Sequence, residues 1–370
     1  MVIEDLVKKE ERYFIKSDNR NKKSTNQTQL TKEIIIWKKK NMAVKTITNK
    51  ASLFKNVLDS RLSEGCLFSA THQKYYWIDV FKAKLFSTNK DQSDFKVLEI
   101  TQKEGSFPER IGFVIPSKDN ADVVYFGAKY GLAQADFSTG NWKYLALYSK
   151  SGLDRDWDRM RSNDGNSDPN DNSIIYAGIM NDFHVGDCTL EGAVMKFVIK
   201  DDGITCECVY DGIRIPNSIN FVGKEKIYLT DSLNFQILEI PYKSKNWVKD
   251  ATQAIDIKKN NIDFESPEPD GSFILENKYF VTAVWSTCKV QVYDLESHSL
   301  IFEYTIPNID RISCCALAAE SNKIVVTTAS QTIDEAGTTE ENLHGAVYLI
   351  QLDELVDSAS NNSLDGKTHI

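Results

Sequence analysis

A strand–turn–strand pattern recurs six times along the chain, and this repeat limits the fold more than any other feature of the sequence. Each copy has an aromatic or apolar strand, a short break and a second, alternating strand. The copies begin at Tyr75, Val123, Ile174, Lys226, Lys278 and Lys323. Their start-to-start spacings are 48, 51, 52, 52 and 45 residues. Strand-built repeats of this length are typical of propellers, where each repeat belongs to one four-stranded blade. We therefore predict an all-β, six-bladed propeller; a large β-sandwich is the alternative, but it has no need of so regular a period.

The two ends of the chain differ from this repetitive middle. Residues 1–41 hold eleven basic and six acidic side chains and show no clear apolar period, which predicts a disordered N-terminal extension. Met42 is an alternative start of the natural chain. We place the propeller over residues 50–355 and a polar C-terminal tail over residues 356–370.

Composition argues against several classes of partner. The 370 residues include 44 Lys+Arg and 53 Asp+Glu, a net charge of −9, which disfavours nucleic acid and anionic membranes. No apolar run reaches the ~18 residues of a membrane helix, and the N-terminus lacks the apolar segment of a secretory signal. The seven Cys show no zinc-type CxxC pair, so we expect free thiols in a reducing, cytoplasmic compartment. We infer no obligate protein partner.

Four repeats place an oxygen-bearing side chain and then a small residue shortly before the repeated strand. These residues are Glu64 in "SEGCLF", Asn163 in "SNDG", Asn217 in "IPNS" and Asp270 in "EPDG", while Glu109 of the second repeat fits the pattern less well. Equivalent positions of different blades lie on a ring around the propeller axis, so the four are expected at one mouth of the central channel. Two carboxylates and two amides form an all-oxygen set that suits Ca²⁺, Mg²⁺ or Mn²⁺. Each residue alone is also an ordinary turn former, so only their coincidence predicts a central metal site.

Motifs of other enzyme classes are absent from the sequence. The segment "DGNSDPND" has the acidic residues of an EF-hand loop but not its Gly–Glu register. There is no GxSxG elbow, no Walker loop and no GxGxxG after a strand. We interpret "GNSDPNDNS" as the turn between two strands of the third blade, and "IIYAGIM" as a strand near the axis.

The segments around the four residues resemble the family of senescence marker protein (regucalcin), gluconolactonase and luciferin-regenerating enzyme. The segments are "EGCLFSATHQKYYWIDV", "RSNDGNSDPNDNSIIYAGIM", "IPNSINFVGKEKIYLTDS" and "PEPDGSFILENKYFVTAVW". The resemblance implies a propeller with one divalent ion (Ca, Zn, Mn or Mg) at the channel mouth, and a lactonase that hydrolyses a small-molecule sugar lactone. It implies Glu64, Asn217 and Asp270 as metal ligands, with Asp270 also the catalytic general base. Arg161 and Asn163 are implied to bind substrate.

The chain departs from the family pattern around the substrate rather than around the metal. Cys66, Phe68 and Ser218 replace residues typical of the family, and Phe183 stands where an acidic substrate-binding residue is expected, with Asp182 beside it. Two other functions fit the same residues. One is a non-catalytic, calcium-binding or regulatory propeller; the other is an aryl-ester or phosphotriester hydrolase.

Overall fold

The computed structural model describes residues 43–46, 54, 60–330 and 343–352. The chain divides into two compact units, residues 1–43 and 44–370, and the propeller belongs to the second. The described strands form six antiparallel sheets, so the predicted all-β, six-bladed propeller is confirmed. The predicted N-terminal extension and C-terminal tail lie outside the described residues.

The strands are numbered in chain order, and within blades 1 to 6 they run from the axis outward. A short strand, β1 (Ala43–Thr46), precedes the blades. Blade 1 contains β2 (Ser63–Ser69), β3 (Lys74–Asp79), β4 (Lys84–Asn89) and β5 (Lys96–Glu99). Blade 2 contains β6 (Val114–Pro116), β7 (Val123–Gly127), β8 (Gly131–Asp136) and β9 (Asn141–Leu147). Blade 3 contains β10 (Met160–Asp168), β11 (Asp171–Asn181), β12 (Gly192–Lys200) and β13 (Gly203–Ile213).

The second half of the chain completes the propeller. Blade 4 contains β14 (Pro216–Val222), β15 (Lys226–Asp231), β16 (Gln236–Pro241) and β17 (Thr252–Asp256). Blade 5 contains β18 (Glu268–Leu275), β19 (Tyr279–Trp285), β20 (Lys289–Asp294) and β21 (Ser299–Thr305), with β1 added beside β21. Blade 6 contains β22 (Ile312–Leu317), β23 (Lys323–Thr328) and β24 (Val347–Gln351). Short helices are α1 (Trp247–Asp250) and α2 (Ile257–Asn260), with 3₁₀ turns at Tyr148–Ser151, Trp157–Arg159 and Ser232–Asn234.

The first strands of the six blades contact one another in a closed ring, β2–β6–β10–β14–β18–β22 and back to β2. The strands that define the sequence repeat are the second strands of the blades. The segment "IIYAGIM" lies in β11, whereas "RSNDGNSD" lies in β10, the axial strand, so our placement of "IIYAGIM" was wrong by one strand. The reason is burial: a second strand is covered on both faces by neighbouring blades, and its apolar run is therefore the longest.

The turn predicted over "GNSDPNDNS" is shorter in the structure. Gly165 pairs with Ala177 within the sheet, and Asp168 pairs with Asp171. Only Pro169 and Asn170 remain as the loop between β10 and β11. The acidic residues of this segment are therefore mostly strand residues.

Apolar side chains form six clusters, and each cluster lies between two neighbouring blades. Between blades 1 and 2, for example, Tyr76 and Ile78 pack with Val124 and Phe126. The blades are therefore joined by a ring of separate apolar interfaces rather than one central core. None of the described helices is long and apolar enough to cross a membrane.

Polar side chains also join blades 3 and 4 at a constant sequence offset. Three Asn side chains of the β10 hairpin donate to main-chain oxygens of blade 4, each 53 residues further along the chain. The pairs are Asn163 with Pro216 (3.0 Å), Asn166 with Ile219 (3.0 Å) and Asn170 with Gly223 (2.8 Å). The offset matches the period read from the sequence.

Candidate functional site

Five of the six axial strands carry a bulge near their start. The interruptions in pairing fall between Glu64 and Leu67, Ser162 and Gly165, Asn217 and Ile219, Pro269 and Ser272, and Ile312 and Cys314. A bulge breaks the strict in–out alternation of a strand and re-aims a side chain. The four ring residues predicted from the sequence all occur at these bulges.

The predicted site residues converge on one cavity of ≈ 250 Å³. All five line it: Glu64 from blade 1, Arg161 and Asn163 from blade 3, Asn217 from blade 4 and Asp270 from blade 5. Its other walls include three aromatic side chains, Phe81, Phe183 and Trp285. The structure thus brings together residues that are up to about two hundred positions apart, as the repeat predicts.

Small residues after the site residues allow the axial strands to approach closely. A Cβ added to Gly271 would lie 2.5 Å from the Cβ of Cys314 in the next blade. A Cβ added to Gly112 of blade 2 would lie 2.5 Å from the main-chain oxygen of Asn163. The small residue noted in the sequence is therefore a packing requirement of the ring.

Asn217 and Asp270 are hydrogen-bonded partners on neighbouring strands. The Asn217 amide nitrogen donates to Asp270 Oδ1 and, at 3.3 Å, to Ser232 Oγ. The Asn217 oxygen accepts from the Ser218 main-chain nitrogen at 3.0 Å. A ligand role for Asn217 therefore requires its amide to turn so that the oxygen faces the carboxylates, a rotation that conserves the shape of the side chain.

Three carboxyl groups in this part of the ring, those of Glu64, Asp164 and Asp270, act electrostatically on one another. Burial, and then the Asp270 carboxylate, raise the pKa of Glu64 well above its usual range. Burial likewise raises the pKa of Asp270 well above its usual range, with Asp164 adding to the effect and the Asn217 amide opposing it. Burial raises the pKa of Asp164 to about 6, against hydrogen bonds from Gly165 and Ser218. The site therefore concentrates negative charge that is unfavourable without a compensating cation.

Arg161 is buried and held by its own strand. Its Nη1 donates to the Ser162 oxygen at 2.7 Å and to Asn163 Oδ1 at 3.2 Å. Asn163 in turn donates to Pro216, so both ends of its amide are used within the protein. Asn163 thus fixes the Arg161 guanidinium and links it to blade 4, while Arg161 also lines the cavity.

Phe183 lines the cavity with half of its side chain exposed, as its sequence position suggests, but Asp182 does not. Asp182 is buried and accepts from the Lys129 ammonium at 2.9 Å. Glu109, the weaker candidate of blade 2, is also buried away from the cavity, where the Tyr144 hydroxyl donates to it. Neither acidic side chain is placed to contact a ligand in the cavity.

A second, smaller cavity of ≈ 100 Å³ follows along the same axial strands. Residues within the bulges or directly after them line it, including Asp164, Ser218 and Ser272. Cys66, Cys314 and Cys315 complete its wall, and all seven Cys of the chain are free thiols. The Asp164 carboxyl therefore belongs to this second cavity, although it acts electrostatically on Glu64 and Asp270.

The donor chemistry of the site fits one hard divalent ion. Glu64 and Asp270 are carboxylates without a cationic hydrogen-bond partner among the described residues, and oxygen-only sets of this kind suit Ca²⁺, Mg²⁺ or Mn²⁺. No three His, Cys, Asp or Glu side chains in the described part of the chain are grouped closely enough to hold an ion by themselves. An ion here would therefore depend on the Asn217 amide or on water for its remaining ligands.

Sequence reasoning missed four charged residues near the site. Asp164 follows the predicted Asn163 and shares its bulge, while Glu268, Arg61 and Arg311 line the cavity. A weak signal for the two arginines does exist. Each stands three positions before an axial-strand bulge residue, Arg61 before Glu64 and Arg311 before Cys314.

Comparisons with known proteins agree with this architecture. The family model described as the SMP-30/gluconolactonase/LRE-like region matches residues 62–330. An uncharacterized protein of Saccharomyces cerevisiae is 33% identical over 323 residues, covering 78% of this chain and 87% of the relative.

Two solved structures share the fold at low sequence identity. A calcium-binding regucalcin from Agrobacterium tumefaciens superposes with a TM-score of 0.64 at 19% identity, covering 83% of this chain and 95% of that one. A gluconolactonase from Xanthomonas campestris superposes with a TM-score of 0.58 at 14% identity, covering 84% and 95%. The family match runs from blade 1 into blade 6 and includes all five predicted site residues. The chain belongs to the SMP-30/gluconolactonase/LRE-like family.

Proposed function

We propose that this protein is a hydrolase that opens a sugar lactone with the help of one divalent metal ion. The observation that carries the proposal is the convergence of Glu64, Asn217, Asp270 and Arg161, from the axial strands of four blades, on a single cavity. A protein of the same fold from Xanthomonas campestris is named a gluconolactonase, which supports the choice of substrate. The cavity of ≈ 250 Å³ is smaller than pockets for drug-sized ligands, so it suits a ligand of monosaccharide size.

Glu64, Asp270 and the Asn217 amide would hold the ion. When bound, a divalent ion at this place would polarise a carbonyl oxygen and make a bound water more acidic. The raised pKa values of Glu64 and Asp270 support this assignment, because both carboxylates would be stabilised by the positive charge of a bound ion.

The residues of the chain have separate roles in the proposed reaction. Arg161 donates charge-assisted hydrogen bonds to the lactone, and Asn163 keeps its guanidinium in place. Asp270 accepts a proton from the attacking water as the water oxygen bonds to the carbonyl carbon. The bond between that carbon and the ring oxygen then breaks, and the proton passes to the ring oxygen. The product is an open-chain hydroxy acid, so lactone plus water is fully accounted for.

Asp270→Asn tests this assignment. The variant keeps the shape of the side chain but removes a ligand charge and the base, so we expect kcat on D-glucono-1,5-lactone to fall by about 10²–10⁴-fold. Hydrolysis is measured in a pH-stat as the rate at which acid is released. The protein is first stripped of metal, and Ca²⁺, Mg²⁺, Mn²⁺ or Zn²⁺ is then added back in separate assays. Asp201→Asn, on an exposed loop, is the matched control and should keep wild-type activity.

Three results would contradict the proposal in whole or in part. Full activity of Asp270→Asn would remove Asp270 from the mechanism. Absence of turnover with every ion, together with stoichiometric Ca²⁺ binding by calorimetry, would favour a calcium-binding propeller instead. Turnover of aryl esters or phosphotriesters but not lactones would keep the chemistry and change the substrate.

A further inference from the structure

Two arginines, Arg61 and Arg311, lie near each other where blade 1 meets blade 6, and both line the cavity. The short segment of Ala329 and Ser330 lies between them. The Ser330 nitrogen and hydroxyl both donate to the Arg61 oxygen, at 2.8 and 3.1 Å, and the Arg311 Nη1 donates to the Ser330 oxygen at 2.9 Å. The Ala329 nitrogen donates to the Arg311 oxygen at 2.9 Å. Ser330 is therefore hydrogen-bonded to both arginines, through the main-chain oxygen of Arg61 and the guanidinium of Arg311, and both arginines line the cavity.

Neither guanidinium has a counter-ion within the described ranges. The salt bridges among the described residues include neither Arg61 nor Arg311. The Arg61 Nε is a buried donor for which no described residue is an acceptor. The Arg311 guanidinium lies over the Trp285 ring, 5.5 Å from its centroid, which is a cation–π contact and not an ion pair. Two charged donor groups thus line the cavity, and no acidic side chain of the described residues lies within ion-pair distance of either.

The charge balance of the cavity points the same way. Its charged lining consists of Arg61, Arg161 and Arg311 against Glu64, Glu268 and Asp270, three of each sign. A divalent ion held by Glu64 and Asp270 would leave the cavity with a net charge of about +2, so a neutral ligand would leave guanidinium groups uncompensated. An anionic group on the ligand removes that cost.

We propose that Arg61 and Arg311 form a carboxylate-binding subsite, and that the substrate is a sugar-acid lactone that carries a free carboxylate. The planar guanidinium forks match the two oxygens of a carboxylate. Arg161 binds the reacting end of the same molecule. This inference rests on the proposed lactonase function for the chemistry, but the subsite itself is a statement about binding.

The test compares two lactones that differ at one carbon. D-glucaro-1,4-lactone carries a carboxylate where D-glucono-1,4-lactone carries a hydroxymethyl group. We expect kcat/KM to be about tenfold or more higher for the glucaro-lactone, because charge-assisted hydrogen bonds contribute on that scale. Arg61→Gln and Arg311→Gln are expected to reduce this preference about tenfold each, mainly through KM. Arg311→Lys keeps the positive charge but loses the planar pair of guanidinium donors, so it should lose part of the preference for the glucaro-lactone.

Arg155→Gln is the matched control, because Arg155 pairs with Asp211 and is not part of the cavity wall. This variant should keep the wild-type preference. Thermal melting of each variant shows whether it is folded. If Arg311→Gln does not fold, Arg311→Lys is used in its place. Equal kcat/KM for the two lactones in the wild type, or an unchanged ratio in the folded Arg61 and Arg311 variants, would overturn the subsite while leaving the lactonase proposal intact.

Binding of the product acids separates the subsite from the reaction. If neither lactone is hydrolysed, the proposed function fails, and isothermal titration calorimetry with D-glucarate and D-gluconate decides on the subsite. Tighter binding of glucarate that weakens in Arg61→Gln and Arg311→Gln supports it. Equal binding of the two acids by the wild type rejects it.

Discussion

Asp182, which directly precedes the cavity residue Phe183 in the chain, forms a buried ion pair with Lys129. The Lys129 ammonium is fully buried and donates to Asp182 at 2.9 Å and to the Met160 oxygen at 3.1 Å. Burial alone would raise the pKa of Asp182, but the Lys129 ammonium, together with the Arg161 guanidinium and the His184 main-chain N–H, outweighs burial, so the net pKa lies below the ordinary value. Asp182 is therefore a charged, structural residue, which explains why the acidic residue sought near this position in the sequence is absent from the cavity.

Asp182→Asn should lower the free energy of unfolding by about 3 kcal/mol at neutral pH, because it leaves the Lys129 ammonium buried without a counter-ion. The folded pKa of Asp182 is depressed, so its contribution is complete above the unfolded value of ~3.9 and is lost as pH falls through the folded value. The free energies of unfolding of the wild type and the variant should therefore become equal at acid pH. Urea unfolding measured across pH checks both statements.

The double variant Lys129→Met/Asp182→Asn is the variant to compare with Asp182→Asn. It removes the unpaired ammonium, so it should recover most of the lost stability. If Asp182→Asn and Asp201→Asn were equally stable at neutral pH, the ion pair would have no structural role.

At the level of strands, the repeat could be predicted from the sequence but the bulges could not. The period predicts which residues share a place in each blade because aromatic and β-branched runs mark the second strands strongly. It cannot predict a bulge, which depends on how neighbouring strands meet at the axis. For this reason Asn163 was found and Asp164, which shares the Ser162–Gly165 interruption, was missed. Arg61 and Arg311 were missed for another reason: what marks them is that no acidic side chain in the described part of the chain forms an ion pair with them, and this depends on three-dimensional neighbours.

Gly271→Ala tests the close contact of β18 and β22. The new methyl group would lie 2.5–2.6 Å from the Cβ and Cα atoms of Cys314, so the strands must separate, at a cost of about 1–3 kcal/mol. The same separation moves the adjacent Asp270, so kcat should fall along with the melting temperature.

Gly186→Ala is the control for that change, because the nearest atom to its new methyl group, Arg159 Nε, is 3.4 Å away. Thermal melting and lactone hydrolysis of the two variants should differ clearly. Wild-type stability in Gly271→Ala would mean that the axial strands can separate at little cost.

For the whole molecule, the junction of blades 6 and 1 closes the ring without a covalent bond. The Phe54 nitrogen donates to the Val347 oxygen of blade 6 at 2.9 Å, and its ring packs edge-on against Tyr75 and Trp77 of blade 1. The Ser313 hydroxyl donates to the Ser63 oxygen at 2.6 Å, and Leu62 bridges to Ala329. The two ends of the repeat are thus joined by hydrogen bonds and by an apolar cluster of blades 1 and 6 that includes Phe54.

Phe54→Ala should therefore reduce the free energy of unfolding by about 3–5 kcal/mol, since the side chain is 1% exposed and leaves a cavity between two blades. Ile262→Ala, at 61% exposure, should change it by less than about 0.5 kcal/mol. Both are measured by denaturant unfolding. Similar midpoints for the two variants would show that Phe54 does not hold the junction.

The constant offset of 53 residues between the Asn donors of blade 3 and their acceptors in blade 4 decides where this chain tolerates changes in length. One residue added between Asn170 and Pro216 shifts all three pairs out of step unless an outer loop absorbs it. Natural or engineered insertions should therefore accumulate in loops such as the one between β12 and β13, which lies between the two outermost strands of its blade. The alignment of the axial strands β10 and β14 must stay fixed, whereas loops between the outer strands of a blade can become longer.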